Sequence, residues 1–202
     1  MGCGKSSVGR KLSELLCCPF MDLDQEIEKV AGRSIPEIFE SEGEEAFRHL
    51  EKGTLINILE STETRQCVPS APSQLSLGPS PYPGVGRCQF HTSALPSAEI
   101  NILSLGGGTV MTRECAEIIR ERTVCVYMRA SVETLIEHLE GETQGRPMLN
   151  GNVRERITSL MAQRSSTYES TAHIIIDIDG KSVDQVAENI RNAIERSQRR
   201  DI

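Results

Sequence analysis

Gly-Cys-Gly-Lys-Ser-Ser, at residues 2–7, is the stretch of sequence that decides the fold. It matches the second half of the phosphate-binding loop G-x-x-x-x-G-K-[ST]. In that loop, backbone N–H groups cradle phosphates, the Lys reaches the β- and γ-phosphates, and the Ser or Thr binds Mg²⁺. Here Gly4, Lys5 and Ser6 supply the Gly-Lys-Ser. The motif therefore predicts a fold that binds a nucleoside triphosphate.

A helix should follow this loop directly, since Val8, Leu12, Leu15 and Leu16 recur at helical spacing. The N-terminus of such a helix points at the loop, where its partial positive charge favours an anion. Gly-Lys-Ser alone could be an ordinary helix start that is rich in small residues. The apolar periodicity behind it favours the phosphate loop.

The phosphate loop is incomplete at its N-terminal side. Counting the pattern back from Gly4 puts its first Gly before Met1, and the apolar strand that normally feeds the loop is also missing. We therefore expect the sheet to lack its first strand. Each buried unpaired backbone group costs about 1–3 kcal/mol, against a total stability of about 5–15 kcal/mol. This chain should then fold poorly or bind ATP weakly.

The composition restricts the function classes. A length of 202 residues fits one domain, at residues 1–202, with a full core. The net charge of −7 and the scarcity of aromatic residues argue against a nucleic-acid partner. No apolar run approaches membrane-spanning length, and no signal or transit peptide is visible. We expect a monomer in the cytoplasm, or in the plastid if a transit peptide has been lost.

Predicted strands alternate with predicted helices along most of the chain. The strands are expected at residues 19–22, 100–105, 123–128 and 173–177. The helices are expected at residues 5–17, 25–31, from 34, from 44 to about 60, 112–121, 131–139, 153–168 and 182–196. Capping boxes at Ser34 and Ser182 open two of them. This order implies an α/β fold, in which helices cover both faces of a parallel sheet.

Residues 62–99 break the alternation, because they hold six of the nine prolines, many Ser and no clear periodicity. We interpret them as a disordered insertion. It is either a surface loop tolerated at modest entropic cost or a stretch outside the working protein.

Asp22 and Asp24 end the first visible strand. Ligands of open α/β sheets bind beyond the carboxyl ends of the strands, and alternation predicts both carboxylates on the same side, near the phosphate loop. One could help to hold Mg²⁺, and the other could orient or deprotonate a hydroxyl nucleophile. The alternative is that Asp24 only caps the next helix.

Phe47-Arg48-x-x-Glu51 lies on a predicted helix. Arg48 could clamp a carboxylate in bidentate fashion, with Glu51 orienting it from one turn away. Spacing alone favours an ordinary exposed pair of charges three residues apart.

Gly106, Gly107 and Gly108 directly follow a strand of the buried type. Three glycines in a row are entropically costly, and such a run typically allows a ligand to approach the backbone closely. A flexible turn between strand and helix is the alternative.

Two further arginines add positive charge. Arg146 lies in a polar loop that could close over a transferring phosphoryl group, and Arg164 lies on a helix with Tyr168 one turn later. Each alone could be an ordinary solvated cation.

Taken in this order, the motifs resemble the shikimate kinase family. The resemblance covers residues 2–196 apart from the insertion, through G-x-G-K-S, D-x-D, F-R-x-x-E, G-G-G, R-P-x-L and R-x-x-x-Y. It implies ATP-dependent phosphorylation of the 3-hydroxyl of shikimate, in the synthesis of aromatic amino acids. It also implies a P-loop kinase sheet in the order 2-3-1-4-5, here without the first strand, and a lid loop at residues 140–152.

The resemblance also implies roles for individual residues. Those assigned to ATP are Gly2, Cys3, Gly4, Lys5, Ser6, Ser7 and Arg146. Those assigned to shikimate are Asp24, Arg48, Gly106, Gly107, Gly108 and Arg164. Ser6 and Asp22 are assigned to Mg²⁺, and Asp24, Lys5 and Arg146 to catalysis.

Two other readings stay open. One is a gluconate-type kinase of the same superfamily, against which the D-x-D, F-R-x-x-E and G-G-G motifs argue. The other is a truncated or inactive relative that binds or scaffolds. The missing first strand favours inactivity, whereas retention of the named polar residues argues against it.

Deleting Arg65 to Ala98 should leave the stability of the chain unchanged or improved, because this segment has too little apolar periodicity to add to the core. Thermal melting of the deleted and full-length chains checks this. A cooperative loss of folding on deletion would contradict it.

Overall fold

The computed structural model describes residues 3–66, 101–142 and 153–198. Most of the predicted insertion and most of the predicted lid lie outside these residues, as do Gly2 and Arg146. None of the described helices has the length and apolarity that a membrane span requires.

Helices and strands alternate along the described residues in the predicted order. The strands are β1 (Phe20–Asp22), β2 (Ile102–Ser104), β3 (Val126–Arg129) and β4 (Ile174–Asp177). The helices are α1 (Lys5–Leu16), α2 (Leu23–Ala31), α3 (Ile35–Gln66), α4 (Arg113–Arg122), α5 (Val132–Glu142), α6 (Val153–Thr171) and α7 (Val183–Gln198). A kink at Gly43, with φ 81°, divides α3 into two helices at the predicted boundary. A 3₁₀ turn, Thr109–Met111, precedes α4. The α/β fold class is confirmed.

The capping box predicted at Ser182 is present at the start of α7. The backbone N–H of Ser182 donates to Oε1 of Gln185 at 2.9 Å, and the N–H of Gln185 donates back to the Ser182 hydroxyl at 3.3 Å. At Ser34 only half of the box forms, because both its N–H and its hydroxyl donate to the carboxylate of Glu37.

Two predicted boundaries are wrong. Residues 62–66, assigned to the insertion, continue α3 to Gln66, and residues 140–142, assigned to the lid, complete α5. Adding a residue to an existing helix costs little free energy compared with nucleating one. Because no Pro or Gly follows Thr62 until Pro69, nothing in the sequence stops α3 at Thr62. In α5 the single Gly141 is tolerated near the end of the helix.

The strands form two separate parallel pairs. Met21 of β1 lies opposite Leu103 of β2, and Tyr127 of β3 lies opposite Ile175 of β4. Within the described residues, no strand joins β2 to β3. The two pairs correspond to the neighbouring pairs 2-3 and 4-5 of the order 2-3-1-4-5 that the resemblance implies.

The buried apolar side chains form two clusters. One buried cluster joins α1 to α5, α6 and α7, with Leu12, Leu135 and Ile190 among its members. The other joins α2, α3 and α4, with Ile27 and Leu55 among its members. The two clusters are not confined to one strand pair each, since Ile102 of β2 packs against the first cluster and Tyr168 of α6 packs against the second.

Gly9 of α1 should tolerate no side chain, because a Cβ there would lie 2.4 Å from a ring carbon of Phe20. We expect Gly9→Ala to cost about 1–3 kcal/mol and to lower the urea midpoint. Gly53 of α3 is the matched control, since it is exposed and nothing lies within 4 Å of its Cβ position. Gly53→Ala should stabilise the helix by roughly 0.5–1 kcal/mol. Equal midpoints for the two variants would contradict the predicted clash.

Candidate active site

The phosphate loop leads into the N-terminus of α1. Gly4 has φ 65° and ψ 26°, a left-handed conformation that favours glycine, and its carbonyl accepts the N–H of Val8 at 2.9 Å. The first turn of α1 carries no acidic residue. Its free N–H groups and the Lys5 side chain therefore form a site that suits phosphate. The described residues assigned to ATP lie together here: Cys3, Gly4, Lys5, Ser6 and Ser7.

Ser6 and Asp22 meet as a pair of oxygen ligands. The Ser6 hydroxyl donates to Oδ2 of Asp22 at 2.8 Å. Hydroxyl and carboxylate oxygens are ligands of the kind that Mg²⁺ takes, usually alongside phosphate and water. The described residues contain no group of three His, Cys, Asp or Glu side chains that could hold a metal. The pair fits a metal ion whose remaining ligands come from a nucleotide and water. The described residues show no site in which protein side chains alone would surround the ion.

Asp24 lies in the first turn of α2 and not on the strand, so the expected alternation with Asp22 is wrong. Asp22 itself caps α2, because its Oδ1 accepts the N–H of Asp24 at 3.1 Å. This excludes Asp24 as the cap. Burial raises the pKa of the Asp24 carboxyl, and the carboxylates of Asp22 and Glu51 raise it further against the opposing charge of Lys5. Asp24 is thus a half-buried carboxylate with increased proton affinity beside the phosphate loop.

Glu51 is almost completely buried, with 1% of its surface exposed, so the expected exposed pair with Arg48 is wrong. One carboxylate oxygen accepts a hydrogen bond from Nη1 of Arg48 at 2.7 Å, and the other accepts one from the hydroxyl of Thr109 at 2.6 Å. A buried carboxylate without partners is strongly destabilising, and here both oxygens are paired. Glu51 therefore holds the guanidinium of Arg48 in a defined orientation.

The three glycines lie against the acidic and basic groups of the site. A Cβ on Gly106 would lie 2.9 Å from Oδ1 of Asp24, and one on Gly108 would lie 2.6 Å from Nη2 of Arg48. The carbonyl of Gly107 accepts the hydroxyl of Tyr168 at 2.5 Å and Nη1 of Arg164 at 3.4 Å. Side chains at Gly106 or Gly108 would therefore displace the ends of the Asp24 and Arg48 side chains from their positions in the site.

Two arginines line one open cavity of about 570 Å³. Arg48 of α3 and Arg164 of α6 face it, together with Glu44, Glu45, Met111, Thr112 and Gln163. The sequence had suggested both arginines as cations for an acidic substrate. The structure brings them together although they are far apart in the chain.

Sequence reasoning missed Thr109, which is fully buried and bonded to Glu51. A hydroxyl residue directly after three glycines was the one available signal. The individual roles of the site residues stay predictions. Gly2 and Arg146 themselves lie outside the described residues.

Comparison with known proteins identifies the family. The family model described as shikimate kinase matches residues 1–71 and 92–195, which is most of the chain. The chain belongs to the shikimate kinase family. The resemblance drawn from the motifs is confirmed.

The similarity to known shikimate kinases extends over nearly the full length of this shikimate kinase family member. The shikimate kinase of Dictyoglomus turgidum is 33% identical and covers 92% of this chain and 88% of its own. A shikimate kinase of Thermus thermophilus is 35% identical and covers 94% of this chain and 83% of its own. A solved shikimate kinase of Acinetobacter baumannii, in complex with shikimate, has a TM-score of 0.70 and 27% identity over 98% of this chain and 89% of its own.

Asp24→Asn should stabilise the fold at neutral pH. The pKa of Asp24 is raised in the folded state, so its ionised form opposes folding above that pKa and its protonated form does not. The Asn variant should therefore melt above the parent at pH 7, and the difference should shrink as the pH falls toward about 4. Melting curves at both pH values check this. Glu121→Gln, on an exposed part of α4, controls for the loss of one negative charge. An Asn variant that melts below the parent at pH 7 would contradict the prediction.

Proposed function

We propose that this shikimate kinase family member transfers the γ-phosphoryl group of ATP to the 3-hydroxyl of shikimate, giving shikimate 3-phosphate and ADP. Family membership makes the chain a phosphotransferase that uses ATP. One observation carries the substrate assignment: Arg48 and Arg164 line a single cavity. The Asp24 carboxylate lies against Gly106, and the charge of Lys5 in the phosphate loop acts on its pKa. The Acinetobacter relative was solved in complex with shikimate.

The nucleotide phosphates would bind at the N-terminus of α1. The free N–H groups of its first turn and the ammonium of Lys5 supply the positive charge that the phosphates need. Ser6 and Asp22 would hold Mg²⁺, whose charge would offset that of the phosphate oxygens. Cys3, Gly4 and Ser7 complete the described part of this loop, and Gly2 and Arg146 are assigned to ATP from the sequence.

The carboxylate of shikimate would bind to Arg48 and Arg164. Arg48 is held from behind by Glu51, while its Nη2 meets the exposed Glu44 at 3.2 Å. An exposed ion pair contributes little, so a substrate carboxylate could replace Glu44 at small cost. Gly106, Gly107 and Gly108 add no side chains of their own to this wall, so the substrate would meet the groups of Asp24, Arg48 and Arg164 that lie against it.

Asp24 would orient the attacking hydroxyl and accept its proton. The 3-hydroxyl oxygen forms a bond to the γ-phosphorus while the bond from that phosphorus to the β,γ-bridging oxygen breaks. The hydroxyl proton moves to an oxygen of Asp24, whose raised pKa suits a proton acceptor. Lys5 lies close enough to oppose that pKa shift, and its charge would also stabilise the transferring phosphoryl group.

The gluconate-type alternative is not favoured, because the family model and the relatives are all shikimate kinases. A monomeric state, a cytoplasmic or plastid location and the lack of a nucleic-acid partner stay predictions from the sequence.

An ADP-release assay with shikimate and with gluconate tests the proposal, and we expect turnover with shikimate alone. Asp24→Asn should chiefly lower kcat, by roughly 10²–10⁴-fold. Arg48→Ala should chiefly raise the KM for shikimate while the KM for ATP changes little. Arg196→Ala, near the end of α7, is the control for loss of an arginine and should leave both parameters unchanged.

Preference for gluconate would contradict the substrate assignment. Equal and small effects of Asp24→Asn and Arg48→Ala would contradict the assigned roles. If the parent chain shows no turnover, binding of ATP and of shikimate to the same variants by calorimetry provides the comparison.

A further inference from the structure

Tyr168 ends the R-x-x-x-Y motif on α6, and no step of the proposed reaction uses it. Its hydroxyl donates to the carbonyl of Gly107 at 2.5 Å. Arg164 lies four residues earlier, and so on the same face of α6, and its Nη1 donates to the same carbonyl at 3.4 Å. Two side chains of one helix therefore share one backbone acceptor in the turn at residues 106–108.

The two bonds to this carbonyl differ in strength. Hydrogen bonds typically have donor–acceptor distances of about 2.5–3.0 Å for O–H···O and about 2.7–3.2 Å for N–H···O. The bond from Tyr168 lies at the short end of its range, whereas the bond from Arg164 is longer than its range. The Gly107 carbonyl is thus bound mainly by Tyr168, and Arg164 is only loosely attached to it.

The packing of the Tyr168 ring holds its hydroxyl in place. The ring centroid lies 5.2 Å from that of Tyr127 of β3, with the two ring planes tilted by 47°. Tilted aromatic pairs at such separations are favourable. The ring also packs against the buried cluster of α2, α3 and α4. The guanidinium of Arg164, in contrast, ends a longer side chain with more rotatable bonds, so it can change its partner.

The guanidinium of Arg164 has a second partner in the proposed reaction. Together with Arg48 it lines the cavity of about 570 Å³ in which the substrate carboxylate would bind. Arg binds a carboxylate best when two of its N–H groups form parallel bonds. A guanidinium drawn tightly onto a backbone carbonyl would have fewer N–H groups in the right orientation. A group that keeps Arg164 off Gly107 therefore affects the affinity for a carboxylate.

We propose that Tyr168 is a positioning residue for shikimate: its hydroxyl occupies the Gly107 carbonyl and so keeps the guanidinium of Arg164 available to the substrate carboxylate. The inference rests on the proposed function, in which Arg164 binds that carboxylate. Without the hydroxyl, the carbonyl would lose its short bond while Arg164 stays within reach. Because hydrogen bonds from a charged donor are stronger than neutral ones, the guanidinium would move onto the carbonyl.

Tyr168→Phe tests the proposal, because it removes the hydroxyl and keeps the ring beside Tyr127. We expect the KM for shikimate to rise about tenfold, the order of effect of one hydrogen bond to a charged group, while kcat and the KM for ATP change little. Tyr127→Phe is the matched control, since it removes a hydroxyl from the neighbouring ring. Among the described side chains, the Gly107 carbonyl accepts from Tyr168 and Arg164 and not from Tyr127, so this variant should keep the parent KM.

A double-mutant cycle separates this role from general support of the fold. In an Arg164→Ala background there is no guanidinium to redirect, so Tyr168→Phe should not raise the KM for shikimate further. Partial unfolding lowers the concentration of active enzyme and hence kcat, but not the KM. A fall in kcat alone, an unchanged KM, or the same rise in KM with and without Arg164 would each overturn the proposal.

Crystal structures of the parent and of Tyr168→Phe, both without shikimate, test the displacement of Arg164 directly. The distance from Nη1 of Arg164 to the Gly107 oxygen should shorten from 3.4 Å to about 2.9 Å in the variant. A water molecule that replaces the hydroxyl and leaves Arg164 in place would overturn the proposal. If the parent binds no shikimate in calorimetry, the proposed function is wrong, and this distance still decides whether Tyr168 keeps Arg164 off the carbonyl. The two failures are therefore distinguishable.

Discussion

The parallel pairing of β1 with β2 is the constraint on which the site depends. Its register places Asp22 opposite Ser104, so the two strands end at the same level. The segments that follow these ends then meet, with Asp24 against Gly106. Since side chains alternate along a strand, a slip of one residue would turn Asp22 away from Ser6 and separate the phosphate loop from the acidic residues.

The buried carboxylate of Glu51 connects this pair of strands to α3. It links Arg48, which faces the cavity, to Thr109, which begins the turn after the glycines. A buried charge with paired oxygens is weak evidence for stability, because its desolvation offsets much of the attraction. Its effect here is geometric: the guanidinium that faces the cavity and the glycine turn are held by one group.

Local patterns in the sequence were sufficient for the order of the elements and for most of the site. Apolar periodicity located α1, and the Ser-x-x-Gln pattern at Ser182 located the start of α7, because these signals act within one or two turns of a helix. The bond between Glu51 and Thr109 spans 58 positions of the chain. Helical spacing does place Glu51 on the buried face of α3, four residues from both Phe47 and Leu55, but the spacing of the two charges alone favoured an exposed pair. The end of α3 was misplaced because composition indicates where a helix is disfavoured but not where its last turn unwinds.

The division of the core also bears on how the chain unfolds. Cooperative, all-or-none transitions arise in small domains whose buried side chains act as one unit. Here one cluster is built on α1, α5, α6 and α7, and the other on α2, α3 and α4. Contiguous clusters of this kind can open as separate units with different free energies. Unfolding followed by fluorescence, circular dichroism and hydrogen exchange can then have different midpoints. A single equilibrium constant for unfolding does not have to describe both clusters.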